Sequence, residues 1–98
     1  MDRIANFVNF QARPGKDAEL GQALAALVEP TRNESGCIRY DLYSGDGGRW
    51  SVHEIWRDEA AIQFHLEQPY IADFIEKMPG LIALDPAVSS YRPVDVRI

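Results

Sequence analysis

Apolar positions along the chain alternate between a period of two and a period near 3.6, and glycine and proline mark the changes. From Ile4 to Ala12, Val8, Phe10 and Ala12 alternate with Phe7, Asn9 and Gln11, which predicts a strand ended by Pro14-Gly15. From Asp17 to Asn33, Leu20, Ala23, Leu24, Leu27, Val28 and Thr31 fall on one helical stripe. Pro30 should kink or stop that helix around Ala26 to Glu29, and Gly36 offers a C-terminal stop. Cys37 to Ser44 and Arg49 to Trp56 read as two strands joined by Gly45-Asp46-Gly47-Gly48, an antiparallel hairpin. Asp58 is placed to cap a further helix, in which Ala61, Phe64 and His65 share a face. Pro69 restarts it, and Ile71, Phe74, Ile75, Met78 and Ile82 continue an apolar stripe past the Pro79-Gly80 break. Ala87 to Val96 is expected to form a last strand, interrupted by Pro93 in a manner suited to an edge or a bulge.

The resulting order, strand, helix, strand, strand, helix, strand, predicts an α+β fold of the ferredoxin-like βαββαβ type, one domain over residues 1–98. Helices that follow strands pack on one sheet face. The other face then carries apolar side chains that nothing in the chain covers, and such a face is rarely left in water. A second copy, sheet against sheet, is the economical solution, so a homodimer is expected.

Composition narrows the partners. Fifteen acids against ten bases give a net charge of −5, and the bases are scattered, so no stripe suits a nucleic acid. No apolar run reaches the roughly 20 residues of a membrane span, and the segment Met1-Asp2-Arg3 does not read as a signal peptide. A single cysteine, Cys37, rules out an internal disulfide framework and, with the rest, favours a cytoplasmic setting. Neither of the two histidines has a ligand-spaced partner, and the glycines at 45–48 precede a strand rather than a helix, so no metal or organic cofactor is expected.

The candidate chemistry is therefore acid–base. His65 sits on an apolar helix face, where it is either a satisfied core histidine or a base in a pocket between helix and sheet. Glu54 alternates with His53, so the two face opposite sides of their strand. Glu54 shares its face with Trp50, Val52 and Trp56 and needs a partner there. That partner is expected to be an arginine, Arg39 or Arg92, unless Glu54 is a general base with a raised pKa. Trp50, Trp56, Tyr40, Tyr43, Tyr70 and Tyr91 are candidate walls of a flat pocket for an aromatic substrate, with Phe64 beside His65, although aromatics at alternating strand positions more often serve as core or dimer interface.

Four motifs recur in order: Arg13-Pro14-Gly15-Lys16, then Pro30-Thr31-Arg32-x-Glu34-x-Gly36-Cys37-Ile38-x-Tyr40-Asp41-Leu42-Tyr43, then Glu54-x-Trp56-x-Asp58-x-x-Ala61-x-x-x-His65, then Pro69. Over about residues 3–92 this resembles the antibiotic biosynthesis monooxygenase (ABM) domain family, including its quinol monooxygenase-like members. The resemblance implies a dimeric α+β barrel. It also implies a cofactor-independent monooxygenase that deprotonates a quinol or related aromatic substrate and lets the resulting anion give an electron to O2. His65 and Glu54 would then be catalytic, with Trp56, Tyr43, Tyr70 and Phe64 against the substrate. The haem-degrading branch of the family is not matched, because Val8, His65 and Ile75 stand where it has Asn, Trp and His. The branch that isomerises phosphorylated autoinducer-2 often has two histidines on the second helix, and here Tyr70 replaces the second. An isomerase of that type and a non-enzymatic dimeric ligand-binding module remain the alternatives.

Overall fold

The computed structural model describes residues 2–98. Four antiparallel strands form one sheet in the order β2-β3-β1-β4, with β1 over Ile4–Gln11, β2 over Cys37–Ser44, β3 over Arg49–Trp56 and β4 over Ala87–Tyr91. Each half of the chain crosses over one strand. Helices α1 (Asp17–Ala25) and α2 (Val28–Arg32) connect β1 to β2, and α3 (Glu59–Leu66) and α4 (Pro69–Lys77) connect β3 to β4. This is the ferredoxin-like βαββαβ arrangement expected from the periodicity.

The expected single helix over Asp17 to Asn33 is two. Its break falls one turn before Pro30, which has no N–H to give the carbonyl four residues back. The hairpin loop closes through Gly45 N–H donating to Arg49 O at 2.7 Å. Gly47 and Gly48 adopt φ of +70° and +78° there, a region that side-chain-bearing residues rarely occupy. Gly36 does not end a helix with a left-handed turn. It is needed for close approach, since a Cβ at this position would lie 2.3 Å from the Cβ of Ala61 on α3.

All helices lie on one sheet face. Leu20, Leu24 and Leu27 from the first crossover meet Ile71 and Phe74 from the second over Phe10, Val52 and Trp56 of the sheet. Full burial of each such side chain contributes about 1.5–3 kcal/mol. The register Asn6↔Glu54, Val8↔Val52 and Phe10↔Trp50 puts the even-numbered residues of β1 and β3 on this inner face. On β2 an irregularity between Cys37 and Arg39 turns Cys37 inward opposite Trp56, while Tyr40 and Leu42 also face the helices.

The outer face carries Phe7, Tyr43, His53 and Tyr91, whose rings touch in sequence: Tyr43 to His53 at 4.7 Å, His53 to Phe7 at 4.3 Å and Phe7 to Tyr91 at 5.7 Å. The last strand ends at Tyr91, earlier than Val96. Beyond it the chain leaves the ladder at Pro93, which has no N–H to pair. The tail then reaches the opposite edge, where Arg39 Nη2 donates to Arg97 O at 3.4 Å. Arg39, Ile55, Ala5 and Tyr91 form one row across the sheet, and Ile55 and Ala5 are buried in it.

Candidate active site

The site lies between the inner sheet face and the second crossover. The Asp58 carboxylate accepts the Ala61 N–H at 2.9 Å and fixes the start of α3. One turn after Ala61, His65 projects onto the sheet and is buried, its ring 4.6 Å from the Trp56 ring and 5.9 Å from the Tyr40 ring. Its Nδ1 is 3.0 Å from Oε2 of Glu34. Glu34 stands on the short connection between α2 and β2, which is tied down at both ends. Glu34 N–H donates to Thr31 O at 3.0 Å, and Arg57 N–H donates to Gly36 O at 2.9 Å. From α4 the Tyr70 hydroxyl also donates to Oε2 of Glu34 and, at 3.3 Å, lies within reach of Pro30 O. Burial and the Glu34 carboxylate push the Tyr70 hydroxyl far above the usual tyrosine range, so it keeps its proton. Oε1 of Glu34 and Oγ1 of Thr31 are buried and have no hydrogen-bond partner among the described residues.

Glu54 anchors a second polar chain. Its Oε1 accepts Asn6 Nδ2 at 3.1 Å and Trp56 Nε1 at 2.9 Å, and Asn6 Oδ1 in turn accepts Ser90 Oγ at 2.6 Å. The expected arginine partner is thus replaced by an amide and an indole. The strand register sets Asn6 directly opposite Glu54, while Arg39 faces the other side of the sheet and Arg92 pairs with Asp2. With Oε1 held by two donors, Oε2 is the oxygen left for a ligand.

Both chains end at one cavity of about 400 Å³. Asn6, Tyr40, Glu54 and His65 supply its polar groups, and Val8, Phe10, Leu24, Phe74, Ile75 and Val88 are among its apolar walls. No lysine or arginine lines it among the described residues, so nothing there neutralises a phosphate or carboxylate. Burial, with Glu54 adding to it, raises the Tyr40 hydroxyl far above its ordinary value, which leaves it a hydrogen-bond donor at neutral pH. His65, Glu54 and Tyr40 are thus three polar residues that line one mostly apolar cavity.

Of the residues singled out in the sequence, the structure brings His65 and Glu54 together at this cavity. Trp56 lies behind them, fully buried, in contact with both. Tyr70 stands on the far side of Glu34 from His65. Tyr43 is not brought to the cavity. It alternates with Tyr40 and Leu42 and so stacks on His53 on the outer face. Phe64 is half-exposed beside His65 on α3 and does not reach it either. Among the described residues no group of three or more His, Cys, Asp or Glu side chains is placed to hold a metal ion, and no helix is long and apolar enough to cross a membrane.

The profile of the family described as antibiotic biosynthesis monooxygenase matches residues 3–77. The chain belongs to the ABM family. It is 33% identical over 93 residues to "Uncharacterized protein sll1783" of Synechocystis, covering 93% of this chain and 63% of that protein, which is thus considerably longer. It is also 33% identical over 93 residues to "Putative monooxygenase Rv0793" of Mycobacterium tuberculosis, covering 94% of this chain and 92% of the relative. The solved structure of Rv0793 superposes with a TM-score of 0.89 over 96% of this chain and 97% of its own. The crystal structure of PA3566 from Pseudomonas aeruginosa, at 27% identity, superposes with a TM-score of 0.92 over 97% of both chains. Sequence reasoning missed Asn6 and Glu34 at this site and had Tyr40 only among the aromatics that could line a pocket. Glu34 and Tyr40 both stand within the motif that carries the family resemblance, and that motif was the signal available for them.

Proposed function

We propose that this ABM protein is a cofactor-independent monooxygenase acting on a quinol or related phenolic aromatic with O2. The observation that carries the reading is the cavity: apolar along its walls, free of cationic side chains among the described residues, and equipped at one end with His65, Glu54 and Tyr40. A neutral aromatic with a hydroxyl fits this division. His65 Nε2 takes the hydroxyl proton, Tyr40 donates to the phenolate oxygen, and Glu54 Oε2 accepts from a second donor group. The delocalised anion passes one electron to O2, and recombination of the two radicals forms a C–O bond. At a ring methylene the resulting hydroperoxide loses water to leave a carbonyl. One oxygen atom enters the product and the other leaves as water, with no external reductant.

The test is oxygen uptake by metal-free protein against a panel of naphthoquinols and anthrones, with autoxidation subtracted and His65→Ala run beside it. Uptake above background that is lost in the variant supports the reading. Absence of uptake across the panel counts against it. We further propose that the outer face is the homodimer interface, supported by the exposed aromatic row of Phe7, Tyr43, His53 and Tyr91. Light scattering at micromolar concentration should then give twice the chain mass, and a monomer would reject it.

A further inference from the structure

We infer that Glu34 is the positioning residue of the site, holding His65 in the Nδ1–H tautomer so that Nε2 presents its lone pair to the cavity. The inference rests on the reading of His65 as the base. A neutral histidine in water favours the opposite tautomer, with the proton on Nε2, where it could not accept a substrate proton at that atom. The structure supplies what reverses this preference. Oε2 of Glu34 is an acceptor 3.0 Å from Nδ1, and both side chains are buried. The Tyr70 hydroxyl donates to the same oxygen and fixes where that oxygen sits. The Trp56 ring lies against the imidazole and limits its rotation.

Charge strengthens the arrangement. When His65 takes up a proton at Nε2, the imidazolium stands against the Glu34 carboxylate in a buried site, where the attraction is weakly screened. The groups that face His65 from the other elements do not compete for Nδ1. Tyr40 on β2 and Tyr70 on α4 keep their protons, and Glu54 on β3 bonds Asn6 and Trp56 through Oε1 and makes no hydrogen bond to His65 among the described residues. Glu34 touches no part of the cavity itself, so it acts through His65 alone.

The test is the long-range 1H–15N spectrum of ring-labelled histidine in the substrate-free protein, above the ring titration. Wild-type His65 should show a protonated Nδ1 and an unprotonated Nε2. His53, which makes no hydrogen bond to a carboxylate among the described residues, serves as the internal reference for the opposite preference. Glu34→Ala should return His65 to Nε2–H and, on any substrate that turns over, lower kcat by more than about tenfold with KM little changed. Glu34→Gln keeps an acceptor oxygen and removes the charge. It should retain the Nδ1–H tautomer and keep kcat closer to wild type than Glu34→Ala does. A wild-type His65 protonated on Nε2 overturns the inference, as does an Nε2–H ring in Glu34→Gln should Glu34→Ala fail to fold. None of the spectra needs a substrate, so failure of the oxygenase reading leaves a separate signature: the expected tautomer with no oxygen uptake.

Discussion

His65 and His53 lie on opposite sides of the same sheet, and their surroundings differ in every respect that governs reactivity. His65 is buried, rests on the Trp56 ring, has a carboxylate at Nδ1 and lines a mostly apolar cavity. His53 is half-exposed between the rings of Phe7 and Tyr43 and has no carboxylate bonded to it among the described residues. Two imidazoles of equal intrinsic basicity are thus given different work by the elements that carry them. A helix turn delivers one onto the core side of the sheet, and strand alternation sends the other outward. The carboxylates follow the same division. Glu34 and Glu54 each receive two side-chain contacts from polar groups that are not arginines, whereas Asp41 on the outer face is tied to Arg32 and Arg39.

The comparison breaks most sharply in turnover. His65→Ala should lower oxygen uptake by roughly 10²–10⁴-fold, the range of a lost general base. His53→Ala should leave the rate within about twofold, and equal losses from both would erase the distinction. In stability, Trp56→Ala should cost about 3–5 kcal/mol in denaturant unfolding, because a fully buried indole leaves a cavity. Tyr43→Ala on the half-exposed outer face should cost under about 1 kcal/mol in the isolated chain. Glu54→Ala should cost about 2 kcal/mol, because it strands the buried N–H groups of Asn6 and Trp56. Glu54→Gln, which keeps an acceptor for them, should recover most of that.

The smallest effect concerns Cys37. Burial pushes its thiol up to about 11, with Glu34 and then Glu54 opposing the thiolate further. At pH 8 only about one thiol in a thousand is then ionised. Iodoacetamide should label it slowly at pH 8, at a rate that climbs about tenfold per pH unit and levels off only near pH 11. The sign for stability follows. The folded state holds this proton more tightly than the unfolded one, so the contribution is complete below the unfolded thiol value near 9. It is lost as pH rises from there towards 11. A fast reaction at pH 8 would show that the inner face is open at that edge.

Much of this division is written in the periodicity, and some of it is not. Alternation separates Glu54 from His53, and Tyr40 from Tyr43, without any structure. It cannot say which set faces the helices, and Tyr43 was expected at the site for that reason. The partner of Glu54 depends on register, a property of two strands distant in the chain, so an arginine was the natural expectation and Asn6 was not. Glu34, although it stands in the motif that carries the family resemblance, was not singled out for a different cause. It lies between Asn33 and Ser35 in a connection that has no period, where an acid reads as solvated until a helix from the other half of the chain closes over it. The tail beyond Tyr91 likewise carries no pattern that foretells its crossing to Arg39.

The contact between Gly36 and Ala61 joins these two halves. Glu34 lies two residues before the glycine and His65 four after the alanine, so the fit of those small residues sets how near the carboxylate comes to the ring. Positions 36 and 61 are consequently coupled by packing, since a Cβ at 36 meets the Cβ of Ala61. Enlarging Gly36 alone should push the Glu34 connection away from α3 and lengthen the contact between Glu34 and His65. A combinatorial library should recover active clones only where the summed bulk at the pair stays that of glycine with alanine.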